Sequence, residues 1–127
     1  MSYDVQMIQI PVPPKTSFPL DETQAKTLMK DRLKFDDLPA VRELLLKIDG
    51  CREGPDESVD FLGRGLSYAR LIVKNDMIHI EKNCGAKELL KIYGELVKIF
   101  PKLLIFDMQS RQLHNAGSFE QWWSRPL

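Results

Sequence analysis

Two β-rich runs, 67–74 and 77–81, stand on either side of Asn75-Asp76, and no other feature constrains the fold as much. Asn and Asp tolerate the backbone angles of a tight reversal, so the pair reads as the turn of an antiparallel hairpin. Just upstream, Val59, Phe61 and Leu62 mark a short strand that Gly63 and Gly65 break. "YDVQMIQI", residues 3–10, is another. It has Val5 and Met7 on one parity and Ile8 and Ile10 on the other, so it is buried at least partly on both faces. The proline-rich stretch 11–19 that follows cannot pair regularly, because proline lacks the donor and restricts the residue before it.

Between and after these strands the hydrophobic period changes to that of a helix. In "GAKELLKIYGELVKIFP" the residues Leu89, Leu90, Tyr93, Leu96, Val97 and Phe100 form one apolar face, and Pro101 enforces the stop. Gly94 lies inside it at a cost of about 1 kcal/mol relative to alanine, which a close backbone approach would explain. A second helix is expected over about 38–49. Asp37 is its N-cap, Pro39 sits in the first turn, Val41, Leu44, Leu45 and Ile48 share a face, and Gly50 ends it. A third spans the region from Asp21 and Glu22 to Lys30, Arg32 and Lys34, the charge order a helix dipole favours, with a thin stripe of Ala25, Leu28, Met29 and Leu33.

The C-terminal "LLIFDMQSRQLHNAGSFEQWW" reads as a strand over 103–109, a reversal at Ser110-Arg111 and a short partner strand over 112–115. That register sets Met108 opposite Leu113 and Asp107 opposite His114. Phe106, Met108 and Leu113 then face the core, and Asp107, Gln109, Gln112 and His114 share the other side. A four-residue loop with this register suits Ser110-Arg111, which lacks the glycine or asparagine of a tight primed turn. Ser118 with Gln121 makes a weak capping box for a last helical turn carrying Phe119, Trp122 and Trp123, which closes the core as a lid. The predicted order is β-α-α-β-β-β-α-β-β-α, an α+β class fold in one domain, 1–127, with helices on one face of a mostly antiparallel sheet.

Composition narrows the function classes. The 127 residues carry 18 Lys+Arg and 18 Asp+Glu, a formal net charge of zero, and proteins that live on nucleic-acid phosphates usually carry a basic excess. The N-terminus has no basic segment followed by an apolar run, and no stretch approaches the roughly 20 apolar residues that span a bilayer. A cytoplasmic protein without nucleic-acid or membrane partners is the expectation. Cys51 and Cys84 cannot form a disulfide scaffold and read as reduced thiols without the electropositive setting of a reactive one. There is no HExxH, no CxxC pair and no phosphate-cradling loop, so no cofactor or metal is implied. Asp107 and His114 have the types of a catalytic dyad, but nothing nearby supplies a nucleophile, and a structural pair is the plainer reading. His79, alone in "MIHIEK", reads as structural. The most one-signed stretch holds Asp49, Glu53, Asp56, Glu57 and Asp60 against the single Arg52. It reads first as a solvated loop and second as a recognition segment.

The opening "YDVQMI", the central "YARLIVKNDMIHIE", a helix, and a strand ending in Asp107-Met108-Gln109 before a short acceptor strand together resemble small bacterial immunity proteins. Those neutralise toxins of contact-dependent or secreted interbacterial systems. The resemblance implies a binding protein that occludes a cognate toxin and has no catalysis of its own. The candidate toxin-binding residues are then Asp49, Glu53, Asp56, Glu57 and Asp60, with His79, Asp107, Gln109 and His114 as secondary surface candidates. A small-molecule-sensing or regulatory domain, using the sheet face around His79 and Asp107, is the alternative, and an uncharacterised hydrolase ranks third.

Overall fold

The computed structural model describes residues 3–11, 17–63, 65, 67–82 and 85–124. Cys84 lies outside them. The described residues form β1 (Tyr3–Gln9), α1 (Glu22–Met29), α2 (Leu38–Leu46), β2 (Cys51–Glu53), a 3-10 turn (Pro55–Glu57) and β3 (Val59–Leu62). β4 (Tyr68–Val73), β5 (Ile78–Lys82), α3 (Ala86–Val97), β6 (Leu103–Asp107), β7 (Gln112–His114) and α4 (Ala116–Trp123) follow. The fold is α+β, as the periodicities indicate.

One seven-stranded sheet runs in the order β2-β3-β4-β5-β1-β6-β7, with every neighbouring pair antiparallel. The first strand therefore sits inside the sheet, between β5 and β6. These two are both antiparallel to β1 and so parallel to each other, and a parallel connection has to cross a sheet face. Helix α3 makes that crossing.

Both parities of β1 are buried, as its sequence indicates. Val5 and Met7 join Val59, Phe61, Leu71, Ile78, Ile80 and Ile105 in the larger core, beneath α2, α3 and Phe119 of α4. Ile8 and Ile10 join Leu20, Ala25 of α1 and Leu113 in a second core on the other side. Helices α2, α3 and α4 thus share one face, and α1 covers part of the opposite one. Its thin apolar stripe suffices because it meets only the β1, β6 and β7 end of the sheet. In α3, Leu89, Ile92, Tyr93 and Leu96 are buried, while Leu90 and Val97, with Phe100 just beyond the helix, pack half-buried at the margin.

Local chemistry sets the element ends. The Asp21 carboxylate accepts from the Gln24 N–H at 2.8 Å and the Gln24 side chain accepts from the Asp21 N–H at 3.2 Å, a reciprocal capping box. Asp37 caps α2 through the Ala40 N–H at 3.1 Å. That helix ends at Leu46, three residues earlier than its pattern indicates, after which Lys47 and Ile48 bond back to Leu44 and Leu45 in tighter i→i−3 turns. Gly50 is left-handed (φ 93°), and a Cβ there would stand 3.0 Å from the Leu62 carbonyl, so this position tolerates no side chain. The Asn75-Asp76 reversal is closed by Lys74 N–H donating to the Met77 carbonyl at 2.8 Å. It is also locked from outside: Arg32 holds Asp76 Oδ2 through Nε at 2.9 Å and Nη2 at 2.8 Å, and Phe35 N–H donates to the Asn75 carbonyl.

Three expectations need correction here. The helices do not all lie on one face, because α1 packs on the other with Ile8, Ile10 and Leu113. Residues 51–53, read as polar loop, are an edge strand, too short for its alternation to register in sequence. Gly94 makes no close approach, because a Cβ built on it meets no atom within 4 Å beyond its own helix. Gly94→Ala should therefore stabilise the fold by about 0.5–1 kcal/mol through lower unfolded-state entropy and better helix propensity. Urea denaturation, showing a higher midpoint at unchanged slope, is the check.

Candidate functional site

The acidic segment folds as the β2–β3 hairpin at one edge of the sheet, with Cys51 opposite Phe61, Arg52 opposite Asp60 and Glu53 opposite Val59. Its tip is held by Gly54 N–H donating to the Ser58 carbonyl at 2.9 Å and Ser58 Oγ donating to the Pro55 carbonyl at 2.6 Å. Asp56 (φ 54°) and Glu57 (φ 65°) are consecutive left-handed residues without being glycine. Each such residue costs on the order of 1–2 kcal/mol. Arg42 of α2 offsets part of that by donating Nε to the Glu57 carbonyl at 2.9 Å, and its Nη1 reaches Glu53 Oε1 at 3.4 Å. The tip is thus braced from the neighbouring helix.

The five acidic residues do not form one patch. Glu53, Asp56 and Glu57 line a groove of about 550 Å³ together with Leu38, Arg42 and Glu43 of α2. Asp49, 96% exposed, lines a separate groove between α2 and α3 and stands 3.7 Å from the Lys91 ammonium. Asp60 is turned to the opposite face of the sheet, where its carboxylate accepts from Tyr68 Oη at 2.9 Å and Arg70 Nε at 3.1 Å. Its side chain is only 15% exposed, so it is a structural anion. The carboxylate holds the Arg70 guanidinium above its usual range, and burial followed by Asp60 raises the Tyr68 phenol. Glu43 and Arg42 belong to the groove without a sequence signal, since they lie on the polar face of an amphipathic helix.

Beyond the area α1 covers, the second face of the sheet is polar. A cross-strand row runs Arg52, Asp60, Arg70, Glu81, Asp4, each residue opposite the next. His79 lies here, opposite Gln6, with its Nδ1 3.3 Å from Gln6 Nε2 and its Nε2 3.8 Å from Asp4 Oδ2. Asp4 Oδ1 is buried without a hydrogen-bond partner among the described residues.

The C-terminal corner departs from its expected register. Asp107 pairs with Gln112, Phe106 with Leu113 and Ile105 with His114, so the loop is 108–111 and Asp107 is not opposite His114. Arg111, left-handed at φ 58°, donates its N–H to the Asp107 carbonyl and closes a wider turn than a primed pair. The slip is by two, so Asp107 and His114 keep a common face, but that face is covered by helices and both residues are fully buried. Neither is a surface candidate. Met108, expected in the core, is 39% exposed, and Gln109 lies exposed on the loop. The Asp107 carboxylate accepts from Gln109 N–H and Ser110 N–H, both at 3.2 Å, and from Ser110 Oγ. It is a turn cap. The α4 cap is Asn115, whose side-chain Oδ1 accepts from Ser118 N–H at 2.8 Å, with Ser118 Oγ accepting from Asn115 N–H at 3.2 Å. Helix α4 therefore begins at Ala116, ahead of the Ser118 start that its sequence indicates, because Ser118 fills the reciprocal third position. Phe119 is fully buried and Trp123 stacks on it at 6.2 Å, the geometry of a lid.

Cys51 is half-buried, and burial pushes its thiol up to about 11. Among the described residues no three His, Cys, Asp or Glu side chains gather to hold a metal ion, and no helix is long and apolar enough to cross a membrane. No model of a known protein family matches the chain, and no characterised protein matches it by sequence.

Removing the charge of the turn cap tests its role. Asp107→Asn turns a donor-bearing amide toward the Ser110 N–H in a buried site and should cost about 1–3 kcal/mol of stability. Chemical denaturation measures it, and a loss below a few tenths would show that the carboxylate does not hold the loop.

Proposed function

We propose that the chain is an immunity-type binding protein of the cytoplasm that neutralises a cognate bacterial toxin by covering its active site or substrate surface, without catalysis of its own. The observation that carries this reading is the braced acidic tip. Glu53, Asp56, Glu57 and Glu43 converge on one groove, and the single guanidinium among them, Arg42, is already bonded to the Glu57 carbonyl and the Glu53 carboxylate. Two exposed carboxylates held on left-handed backbone, fixed by a helix, form a rigid negative surface and not a loose solubilising loop. Such a surface complements the basic cleft of a toxin acting on nucleic acid, steering encounter and setting orientation. Asp49 and Asp60 fall outside it.

Neutralising the tip in one variant, Glu53→Gln with Asp56→Asn and Glu57→Gln, should slow association with the cognate toxin by about tenfold at low salt. The ionic-strength dependence should flatten, since fewer charges remain to be screened. Stopped-flow association at several salt concentrations is the measurement, with thermal melts to show an intact fold. Equal rates at low and high salt would remove the tip from the interface. The open face around His79 would then be the next surface, favoured by the unpartnered Asp4 Oδ1 beside it, and it is also where a small-molecule-sensing role would reside.

A further inference from the structure

His114 is a fully buried titratable group that the proposed binding role leaves unused. Its ring is fully buried between β7 and α4. Nδ1 lies 3.0 Å from Ser118 Oγ of α4, and Nε2 is buried with no hydrogen-bond partner among the described residues. Phe119 meets the ring edge-on at 5.7 Å and Trp122 lies over it at 6.3 Å. We infer that His114 is an acid-sensitive latch: neutral, it holds α4 closed over the sheet, and protonated, it releases α4 and uncovers the core against which Phe119 packs.

The hydrogen-bond arithmetic gives the direction. A neutral ring has one N–H donor, and the Ser118 hydroxyl serves Nδ1 in either tautomer. A protonated ring has two donors and a full charge. Its Nδ1–H can still use Ser118 Oγ, but its Nε2–H faces no acceptor in an apolar pocket. The neighbouring anion does not solve this. Asp107, on the same face from β6, has its carboxylate oriented by the loop through Gln109 and Ser110. From α4 the remaining titratable group is Glu120, which is exposed, and from α3 the inward one is Tyr93, whose hydroxyl donates to the Leu103 carbonyl, while Lys87 and Lys91 are exposed. Burial accordingly pulls the His114 pKa below its ordinary value, and the attraction of Asp107 and the Ser118 bond return only part of the shift. Because the closed state binds the proton less well than the open one, closure is complete above about pH 6.5 and weakens as pH falls through the window below it.

Both of the chain's tryptophans lie in α4, so indole fluorescence reports this helix alone. Amide exchange read at about pH 7.5 and about pH 5.5, corrected for intrinsic rates, should show α4 opening up to about tenfold more per pH unit below the transition. Protection in β3, β4 and β5 should hold. The indole signal should shift over the same range and a hydrophobic dye should bind. His114→Gln should abolish the pH response, and His79→Gln, on the other face, should keep it. If His114→Gln does not fold, imidazole nitrogen NMR on the wild type decides: protonation of His114 must coincide with the indole change. A response that survives His114→Gln, loss of protection in α4 and the sheet at one pH, or a His114 that protonates with α4 still closed would each overturn the latch.

Discussion

Burial of β1 on both faces is the constraint on which the rest depends. A central strand with Val5 and Met7 on one side and Ile8 and Ile10 on the other leaves about 1.5–3 kcal/mol per side chain unrealised unless both faces of the sheet are covered. Three helices on one face cannot do that, so a further layer must reach the other. The first helix and the segment carrying Leu20 supply it. Leu20 exchanges backbone bonds with Leu113 at the sheet's far edge, N–H to carbonyl at 2.9 and 3.1 Å. The α1 stripe is thin because its area of contact is small. The same arrangement decides which part of the second face stays polar, and so where the charged row from Arg52 to Asp4 can exist.

Charge is distributed by the same geometry. A chain of zero net charge can still present strongly signed surfaces if its ion pairs are concentrated elsewhere. Arg32 is committed to Asp76, far along the chain, and Arg70 to Asp60 on the adjacent strand. Arg42 is committed to a carbonyl as well as to Glu53. Asp56 and Glu57 have no cation within ion-pair distance among the described residues, and their backbone conformation keeps them at the tip. The hairpin tip therefore presents unpaired negative charge that the balanced composition does not reveal.

Most elements were legible because each carries its own local signal: a period of 3.6 in 85–101, proline or glycine at the ends, a turn pair between two strands. The double burial of β1 was legible as well, from parity alone. Three kinds of feature were not. The register of β6 against β7 slipped by two, because a shift of two preserves every residue's face and the hydrophobic pattern cannot resolve it. Edge strand β2 was hidden by length, since Cys51-Arg52-Glu53 is too short to show alternation. The acidic run was visible, but its division was not. Asp60 points to one side of the sheet and Glu53 to the other because they occupy opposite parities on paired strands, and Glu43 joins the groove only through the packing of α2.

The buried Asp107 and His114 show how the slip changes chemistry as well as geometry. Facing each other on an open sheet, they would be a charge-assisted pair accessible to a ligand. Displaced by two positions beneath α4, the same residues separate into two unlike tasks. The carboxylate is buried with three loop donors in place of water, the condition for burying such a group at all. The imidazole has one such partner and one nitrogen with none, so only its neutral form suits the site. One group fastens the turn. The other makes the closure of the last helix conditional on remaining uncharged, which places a pH-dependent joint directly under the two tryptophans.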